Sequence, residues 1–283
     1  MSMENTVIIG RENHLVATTT AAQAGAAAAA PFVVILSNSG VIPRVGPHRI
    51  NVHLARHFSA LGVPSIRFDM SGLGDSLRTS STASMIDQWV ADAQDAMNFA
   101  QQHFGCARFI MIGFCSGAEV AYKAALQDKR MIGAVLWDLY AYQNWQSRVR
   151  TLLFRARRAG AAGLLQKLLA KLGLGHSNSG QPPITRVQTF QPAQIPTVEA
   201  FAADLKSLAQ RGVALLVLHC GGEPQWYNYR GQFDDTLGRH GLQGLVDFDF
   251  LEQADHLLTR QSAQKTFVGT VVRWLRARQL LQA

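Results

Sequence analysis

Two side chains that can attack a carbonyl carbon are neighbours in the sequence, Cys115 and Ser116, within the run GFCSG at residues 113–117. A nucleophile on a sharp strand-to-helix turn needs glycine two residues before and two residues after it, because strand and helix approach each other closely there. Cys115 has glycine at both places, whereas Ser116 would need glycine where Phe114 and Ala118 stand. The spacing therefore predicts Cys115 as the nucleophile, and the start of a helix favours its thiolate.

A thiolate nucleophile also needs a general base that an acid holds in place. His256 lies in the segment LEQADHLL, between the last predicted strand and the last predicted helix, and it is the predicted base. The chain has nine histidines. We expect those other than His256 to be surface or packing residues.

Two acidic residues could orient His256. Glu223 lies in the loop GGEPQW after the predicted strand ALLVLHC, which gives the chain order nucleophile, acid, histidine. Asp138 closes the preceding strand GAVLWD and could also reach the histidine. We favour Glu223 and keep Asp138 as the alternative acid. Asp255 adjoins His256, but neighbouring residues in a loop usually point apart.

Acyl chemistry requires hydrogen-bond donors for the oxyanion that develops during attack. The backbone N–H of Ser116, directly after the predicted nucleophile, is the first expected donor. The second is expected from the turn SNSGVIP after the first long strand, at the backbone N–H of Val41. In the loop that carries Glu223, Trp226 and Tyr227 are candidates for substrate binding.

The elements that position these residues alternate regularly between strand and helix. After two short N-terminal strands and the low-complexity stretch AAQAGAAAAAP, apolar runs of strand length alternate with segments of helical periodicity. Parallel neighbouring strands require helical crossovers, so the pattern predicts an α/β fold with a mostly parallel, doubly wound sheet. Ligands of such sheets bind at the carboxyl ends of the strands, where the candidate residues stand.

The elbow, the order of the candidate residues and the strand pattern resemble the α/β-hydrolase superfamily over roughly residues 30 to 280. A second motif, DMSGLGDS at residues 69–76, is similar to the turn that follows an earlier strand in that family. The resemblance implies an α/β-hydrolase core over 1–138 and 197–283, with a helical lid inserted at 139–196. A cysteine at the elbow is similar to dienelactone hydrolases and to some thioesterase-like or acyltransferase members.

The positive charge of the chain is concentrated in the predicted lid. The formal net charge is +8, and residues 148–171 carry seven arginines and lysines and no acid. A basic, amphipathic lid could dock an acidic acyl carrier protein or the phosphates of coenzyme A. Because the basic residues lie in one segment without interleaved aromatics, the pattern argues against nucleic-acid binding.

Composition also bears on disulfides, metal sites, cofactors and membrane insertion. Three cysteines without metal-ligand spacing predict neither a disulfide framework nor a metal site, and we expect no cofactor. No apolar stretch is long enough for a membrane span and no signal sequence is recognisable, so we expect a cytoplasmic protein without stable membrane insertion.

The sequence thus favours a cysteine-dependent enzyme that hydrolyses or transfers acyl groups of small-molecule esters or thioesters, through a covalent intermediate on Cys115. The alternative hypothesis is a binding or interaction protein that has the hydrolase fold without its chemistry.

Overall fold

The computed structural model describes residues 4–23, 32–157 and 195–282. These residues form an eight-stranded sheet with the strand order β1-β2-β4-β3-β5-β6-β7-β8. The strands are β1 Glu4–Ile9, β2 Leu15–Thr20, β3 Val33–Leu36, β4 Ser65–Phe68, β5 Phe109–Phe114, β6 Met131–Trp137, β7 Ala214–Cys220 and β8 Asp247–Leu251. The predicted fold class is confirmed.

The sheet is antiparallel at one edge and parallel elsewhere. β1 and β2 form a hairpin, and β2 also runs antiparallel to β4. The pairs from β4 through β3, β5, β6 and β7 to β8 are all parallel. Because of this, the carboxyl ends of β3, β5, β6, β7 and β8 meet at one edge, where the predicted site residues follow the strands.

Helices cover both faces of the sheet. They include α1 Ile50–Ala60, α2 Met85–Phe104, α3 Ser116–Gln127, α5 Val198–Gln210, α6 Gln232–Asp235 and α7 Gln261–Ala277. Apolar residues of α2, α3 and α5 form one core with one face of the sheet, and those of α1 and α7 form a second core with the other face. The central strands are apolar on both sides for this reason; β3, for example, is buried throughout.

The described part of the predicted lid contains a further helix, α4, over 145–157. It is attached to the loop after β7. The side-chain amide of Asn228 donates to the carbonyl oxygen of Ser147, and the hydroxyl of Thr151 donates to that of Pro224. The rest of the predicted lid, 158–194, and most of the alanine-rich stretch, 24–31, lie outside the described residues.

The two glycines that flank Cys115 are required by the packing of α3. A Cβ atom on Gly113 would lie 2.1 Å from the carbonyl oxygen of Gly117, and a Cβ on Gly117 would lie 2.4 Å from the carbonyl oxygen of Asn38. Both contacts involve backbone atoms, which cannot move aside without displacing the strand, the helix or the β3 loop. The spacing that selects Cys115 in the sequence therefore has a steric cause.

Replacing Gly113 by alanine should lower the free energy of unfolding by about 3 kcal/mol or more, because the added methyl group overlaps α3. Gly133, on the neighbouring strand β6, is the matched control, since its added Cβ would lie 3.3 Å from the nearest atom, the carbonyl oxygen of Ala214. The control should change stability by less than about 1 kcal/mol. Urea unfolding of both variants measures the difference, and equal losses would contradict this steric account.

Candidate active site

Cys115 occupies the turn between β5 and α3 with a strained backbone. Its φ of 52° and ψ of −116° lie outside the regions that side chains with a Cβ normally adopt. The turn is held by a hydrogen bond from the N–H of Cys115 to the carbonyl oxygen of Trp137, 3.0 Å, and by two α3 amides that donate to the carbonyl oxygen of Cys115. The thiol side chain is partly exposed. This is the geometry that the spacing predicts for the elbow.

Ser116, by contrast, turns its side chain inward. The residue is buried, and its Oγ accepts a hydrogen bond of 2.8 Å from the backbone N–H of Gly40. The hydroxyl therefore joins the first turn of α3 to the loop after β3. The two candidate nucleophiles have different positions, and Cys115 is the one at the tip of the turn.

His256 contacts Asp138, which the sequence analysis treats as the alternative acid. Nδ1 of His256 lies 2.8 Å from Oδ2 of Asp138. The loop that carries His256 is anchored by a hydrogen bond from the indole N–H of Trp137 to the carbonyl oxygen of His256, 3.0 Å. Trp137 and Asp138 are consecutive, so the end of β6 fixes both the backbone and the ring of His256.

Glu223, the favoured acid, is directed elsewhere, and the preference for it is not supported by the geometry. Its carboxylate accepts a hydrogen bond from the side-chain amide of Gln225. The preceding residues, Gly221 and Gly222, pass so close to the β8 loop that a Cβ on Gly221 would lie 2.1 Å from the carbonyl oxygen of Glu252. The chain leaves β7 against this loop and carries Glu223 past the end of the strand. Asp255 is occupied as well, since it accepts from the N–H of Thr259.

Asp138 lies at a second strained position and has several donors. Its φ is 49°, and its N–H donates to the carbonyl oxygen of Leu218 on β7, 2.8 Å. Its Oδ1 accepts from the backbone N–H of Cys220, 2.9 Å, and lies 3.4 Å from Nδ1 of His219. Burial opposes ionisation of this carboxyl, but the hydrogen bonds and charges of His219 and His256 outweigh it and hold the pKa of Asp138 well below its usual range.

The contact that lowers the pKa of Asp138 raises the pKa of His256. The hydrogen bond with Asp138 is the largest cause that raises the pKa of His256, followed by hydrogen bonds with the thiols of Cys115 and Cys220, whereas burial lowers it. A protonated His256 is therefore stabilised next to Cys115. The structure thus places a cationic imidazolium and the side chain of Cys115 within contact of each other.

The loop after β3, where the second oxyanion donor is predicted, is tied to the DMSGLGDS motif. The buried carboxylate of Asp69 accepts from the side-chain amide of Asn38 and from Arg44, and the side-chain oxygen of Asn38 accepts from the N–H of Met70. A Cβ on Gly74 would lie 2.4 Å from the carboxylate of Asp69. The motif thus holds the loop against the elbow.

The two backbone N–H groups that are predicted as oxyanion donors lie on different elements, α3 and the loop after β3. The N–H of Ser116 lies at the start of α3, directly after Cys115. Val41 belongs to the loop after β3, its side chain is 83% exposed, and its neighbour Gly40 directs its own N–H to Ser116. The assignment of the second donor to Val41 stays a prediction.

The two candidate substrate-binding aromatics differ in their surroundings. Trp226 is 56% exposed on the loop after β7. Tyr227 is 3% exposed and packs in an aromatic cluster, with its ring parallel to that of His219 at 4.2 Å and 5.4 Å from that of Phe250. Tyr227 therefore packs against His219, the residue whose Nδ1 faces Asp138.

Within the described ranges, one group combines the residue types and spacing of a metal site. Asp138, Cys220 and His256 each offer a ligand atom, and these atoms lie within 4.8 Å of one another. The carboxylate, thiol and imidazole set suits Zn²⁺ by its chemistry. The same atoms are the ones that hold His256 in the contacts described above.

His219 and Cys220 both contact Asp138, which the sequence analysis did not foresee, since it assigned His219 to the packing histidines. Register could have identified them. Trp137 pairs with Leu218 across the parallel strands β6 and β7. Residues directly after this pair must therefore be neighbours, which brings Asp138 beside His219 and Cys220.

Comparison with solved structures supports the same fold. An esterase of Pyrococcus furiosus superposes with a TM-score of 0.60 at 14% identity, over 98% of this chain and 91% of that one. A serine hydrolase without a lid from Xanthomonas campestris gives 0.57 at 14% identity, over 100% and 96%. A Klebsiella pneumoniae protein provisionally assigned as a dienelactone hydrolase gives 0.58 at 13% identity, over 98% and 99%.

A search of curated protein sequences found no match to this chain. No helix among the described residues has the length and apolar character needed to cross a membrane. The profile of an α/β-hydrolase family described as serine aminopeptidase, S33, matches residues 47–211, which is more than half of the sequence. With the eight-stranded sheet and the elbow at β5, this match shows that the chain belongs to that family of hydrolases.

Proposed function

We propose that this hydrolase cleaves or transfers acyl groups of esters or thioesters through a covalent intermediate on Cys115, with His256 as the base and Asp138 as the acid. The observation that carries the proposal is the 2.8 Å contact between His256 and Asp138 beside the strained turn of Cys115. In a family whose description names a serine, the residue at the elbow is a cysteine.

The mechanism follows from these positions. The thiolate of Cys115 attacks the substrate carbonyl carbon, and the resulting oxyanion accepts hydrogen bonds from the N–H of Ser116 and from the β3 loop, where we assign Val41. His256, having taken the thiol proton, gives it to the leaving alkoxide or thiolate as the tetrahedral intermediate collapses. The acyl-cysteine is then attacked by water or by an alcohol, amine or thiol, whose proton passes to His256. The C–S bond breaks as this second tetrahedral intermediate collapses, which releases the acyl product and regenerates the thiolate of Cys115 beside protonated His256.

Asp138 keeps the ring of His256 in the required orientation and tautomer throughout this cycle. Its Oδ2 binds Nδ1, which leaves Nε2 to exchange protons with sulfur and substrate. The esterase and the dienelactone hydrolase assignment among similar structures agree with an ester substrate. A thioester intermediate also suits acyl transfer, because nucleophiles other than water can intercept it.

Intact-mass analysis after incubation with activated acyl esters and acyl thioesters should detect one acyl group on the protein. Cys115→Ala should lose the adduct and reduce kcat by about 10⁴-fold or more. Cys106→Ala is the matched control, because Cys106 is partly exposed at the far end of α2. An adduct that persists in Cys115→Ala would refute the assignment. Absence of both adduct and turnover in the unmodified protein across the panel would favour a catalytically silent binding protein.

The choice of acid can be measured independently. Asp138→Asn should reduce kcat by about 10³–10⁴-fold, since an amide no longer stabilises the imidazolium or its tautomer. It should also lower the pKa of His256, which NMR titration follows, because the hydrogen bond with Asp138 is the main cause that raises it. Glu223→Gln should leave both quantities within a few-fold and a few tenths of a pH unit of the original. The reverse pattern would restore Glu223 as the acid.

We further propose that an acidic acyl carrier protein docks on α4. Arg148, Arg150, Arg155 and Arg157 are exposed on this helix, and none of them makes an ion pair within the described part of the chain. An open pocket of about 490 Å³ beside the β7 loop is lined by Arg150 and Arg157, by the apolar side chains of Leu153, Phe154 and Pro224, and by Asn228. Unneutralised guanidinium groups around an apolar opening suit an acyl chain delivered by an anionic carrier.

The double variant Arg148→Glu/Arg155→Glu should lower kcat/KM for a carrier-linked acyl thioester by about tenfold at low salt. The same acyl group on a small thiol should react at an unchanged rate. Arg108→Glu, on an exposed arginine just before β5 at the opposite edge of the sheet, serves as the charge control. Equal kinetics of the double variant and the control on both substrates would contradict docking on α4.

A further inference from the structure

The carboxylate of Asp138, whose side chain is 11% exposed, lies between two histidines. Oδ2 faces Nδ1 of His256 at 2.8 Å, and Oδ1 faces Nδ1 of His219 at 3.4 Å. Of the two rings, that of His256 is partly exposed toward Cys115, while that of His219 is almost completely buried. The proposed mechanism uses His256 and gives His219 no task.

The ring of His219 is held in a fixed plane by aromatic neighbours. It stacks on Tyr227 with 4.2 Å between ring centroids and 9° between ring planes, and Phe248 lies 6.3 Å away. His219 is 3% exposed. Its Nδ1 lies 3.4 Å from the carboxylate of Asp138. A buried imidazole N–H without a hydrogen-bond acceptor would be energetically costly. An oxygen of the Asp138 carboxylate is within reach of Nδ1 as that acceptor.

Asp138 needs such a donor. The free-energy cost of removing a carboxylate from water is offset only by hydrogen bonds and charges around it. The backbone N–H of Cys220 donates one hydrogen bond of 2.9 Å to Oδ1. With that bond alone on Oδ1, the carboxylate could turn about its Cβ–Cγ bond and carry Oδ2 away from His256. A second donor, fixed in a rigid plane, restricts this rotation.

We propose that His219 is a positioning residue for the proposed acid: its Nδ1–H donates to Oδ1 of Asp138 and keeps Oδ2 directed at His256. Where it concerns turnover, this proposal rests on the proposed function. The contact between His219 and Asp138, and its effect on His256, do not depend on a substrate.

Two substitutions separate the donor from the ring. In His219→Asn, the side-chain amide nitrogen takes nearly the place of Nδ1, so the donor is kept and the stacking on Tyr227 is lost. In His219→Phe, the ring and its stacking are kept and the donor is lost. If His219 only fills space behind the site, the phenylalanine variant is the less damaged of the two. If it positions Asp138, the asparagine variant is the less damaged.

Kinetics on an activated ester give the first readout. His219→Phe should reduce kcat about tenfold or more with KM within about twofold, because a hydrogen bond to a charged group is lost in positioning and not in substrate binding. His219→Asn should recover most of that loss. Urea midpoints of both variants identify any loss that is due to unfolding.

NMR titration of His256 gives the second readout and needs no substrate. The groups that face His256 are Asp138 from β6, Cys115 from the elbow and Cys220 from β7. When Asp138 is no longer directed at His256, the pKa of His256 should fall in His219→Phe and stay close to the original in His219→Asn.

Three results would overturn the proposal. They are a pKa of His256 that is unchanged or higher in His219→Phe, full activity of that variant, and an asparagine variant as impaired as the phenylalanine variant with both folded. Failure of the wider proposal is recognisable separately, because turnover that survives in Cys115→Ala leaves the titration of His256 as a valid test of His219.

Discussion

One largely buried carboxylate, that of Asp138, organises this site. Asp138 must ionise away from water to be useful, and the contacts that allow it come from the order of the sheet. Because β6 and β7 are parallel neighbours in register at Trp137 and Leu218, the first residues beyond them meet. The N–H of Asp138 bonds to Leu218, and Cys220 and His219 turn toward its Oδ1. The positive φ at Asp138 is thus maintained by hydrogen bonds from the sheet.

A second constraint acts at the elbow, where backbone approaches backbone. Because Gly117 has no Cβ, the first turn of α3 packs directly against the carbonyl oxygen of Asn38, and the hydrogen bond from the N–H of Gly40 to Ser116 joins α3 to the β3 loop. The buried carboxylate of Asp69 holds the same loop from its other side through Asn38 and Arg44. The glycines and aspartates of both motifs therefore build the frame around Cys115 without taking part in chemistry, and the positions of the predicted oxyanion donors depend on that frame.

The sequence predicted the sheet, its helices and the elbow because each leaves a local signal: apolar runs, helical periodicity and glycine spacing. It also singled out His256, which follows the last strand at the carboxyl edge and contacts Asp138. It did not distinguish Asp138 from Glu223, since both follow neighbouring strands and chain order favoured the later one. The features that separate the two acids in the structure are contacts between distant segments: the close passage of Gly221 along the β8 loop and the contact of Asp138 with His256. His219 was missed for the same reason, because its contact with Asp138 crosses between neighbouring strands of the sheet.

The adjacent Cys115 and Ser116 illustrate how the turn separates two similar side chains. A residue at the strained position projects from the tip, while the next residue already belongs to α3 and points back into the protein. Ser116 uses its oxygen to accept from Gly40, so a hydroxyl there stabilises the loop that faces the substrate. Cys115 has no such contact with the loop, and its thiol meets His256 instead. The division follows from backbone geometry alone: exchanging the two residues would put an oxygen at the tip and a thiol, a weaker hydrogen-bond acceptor, under the loop.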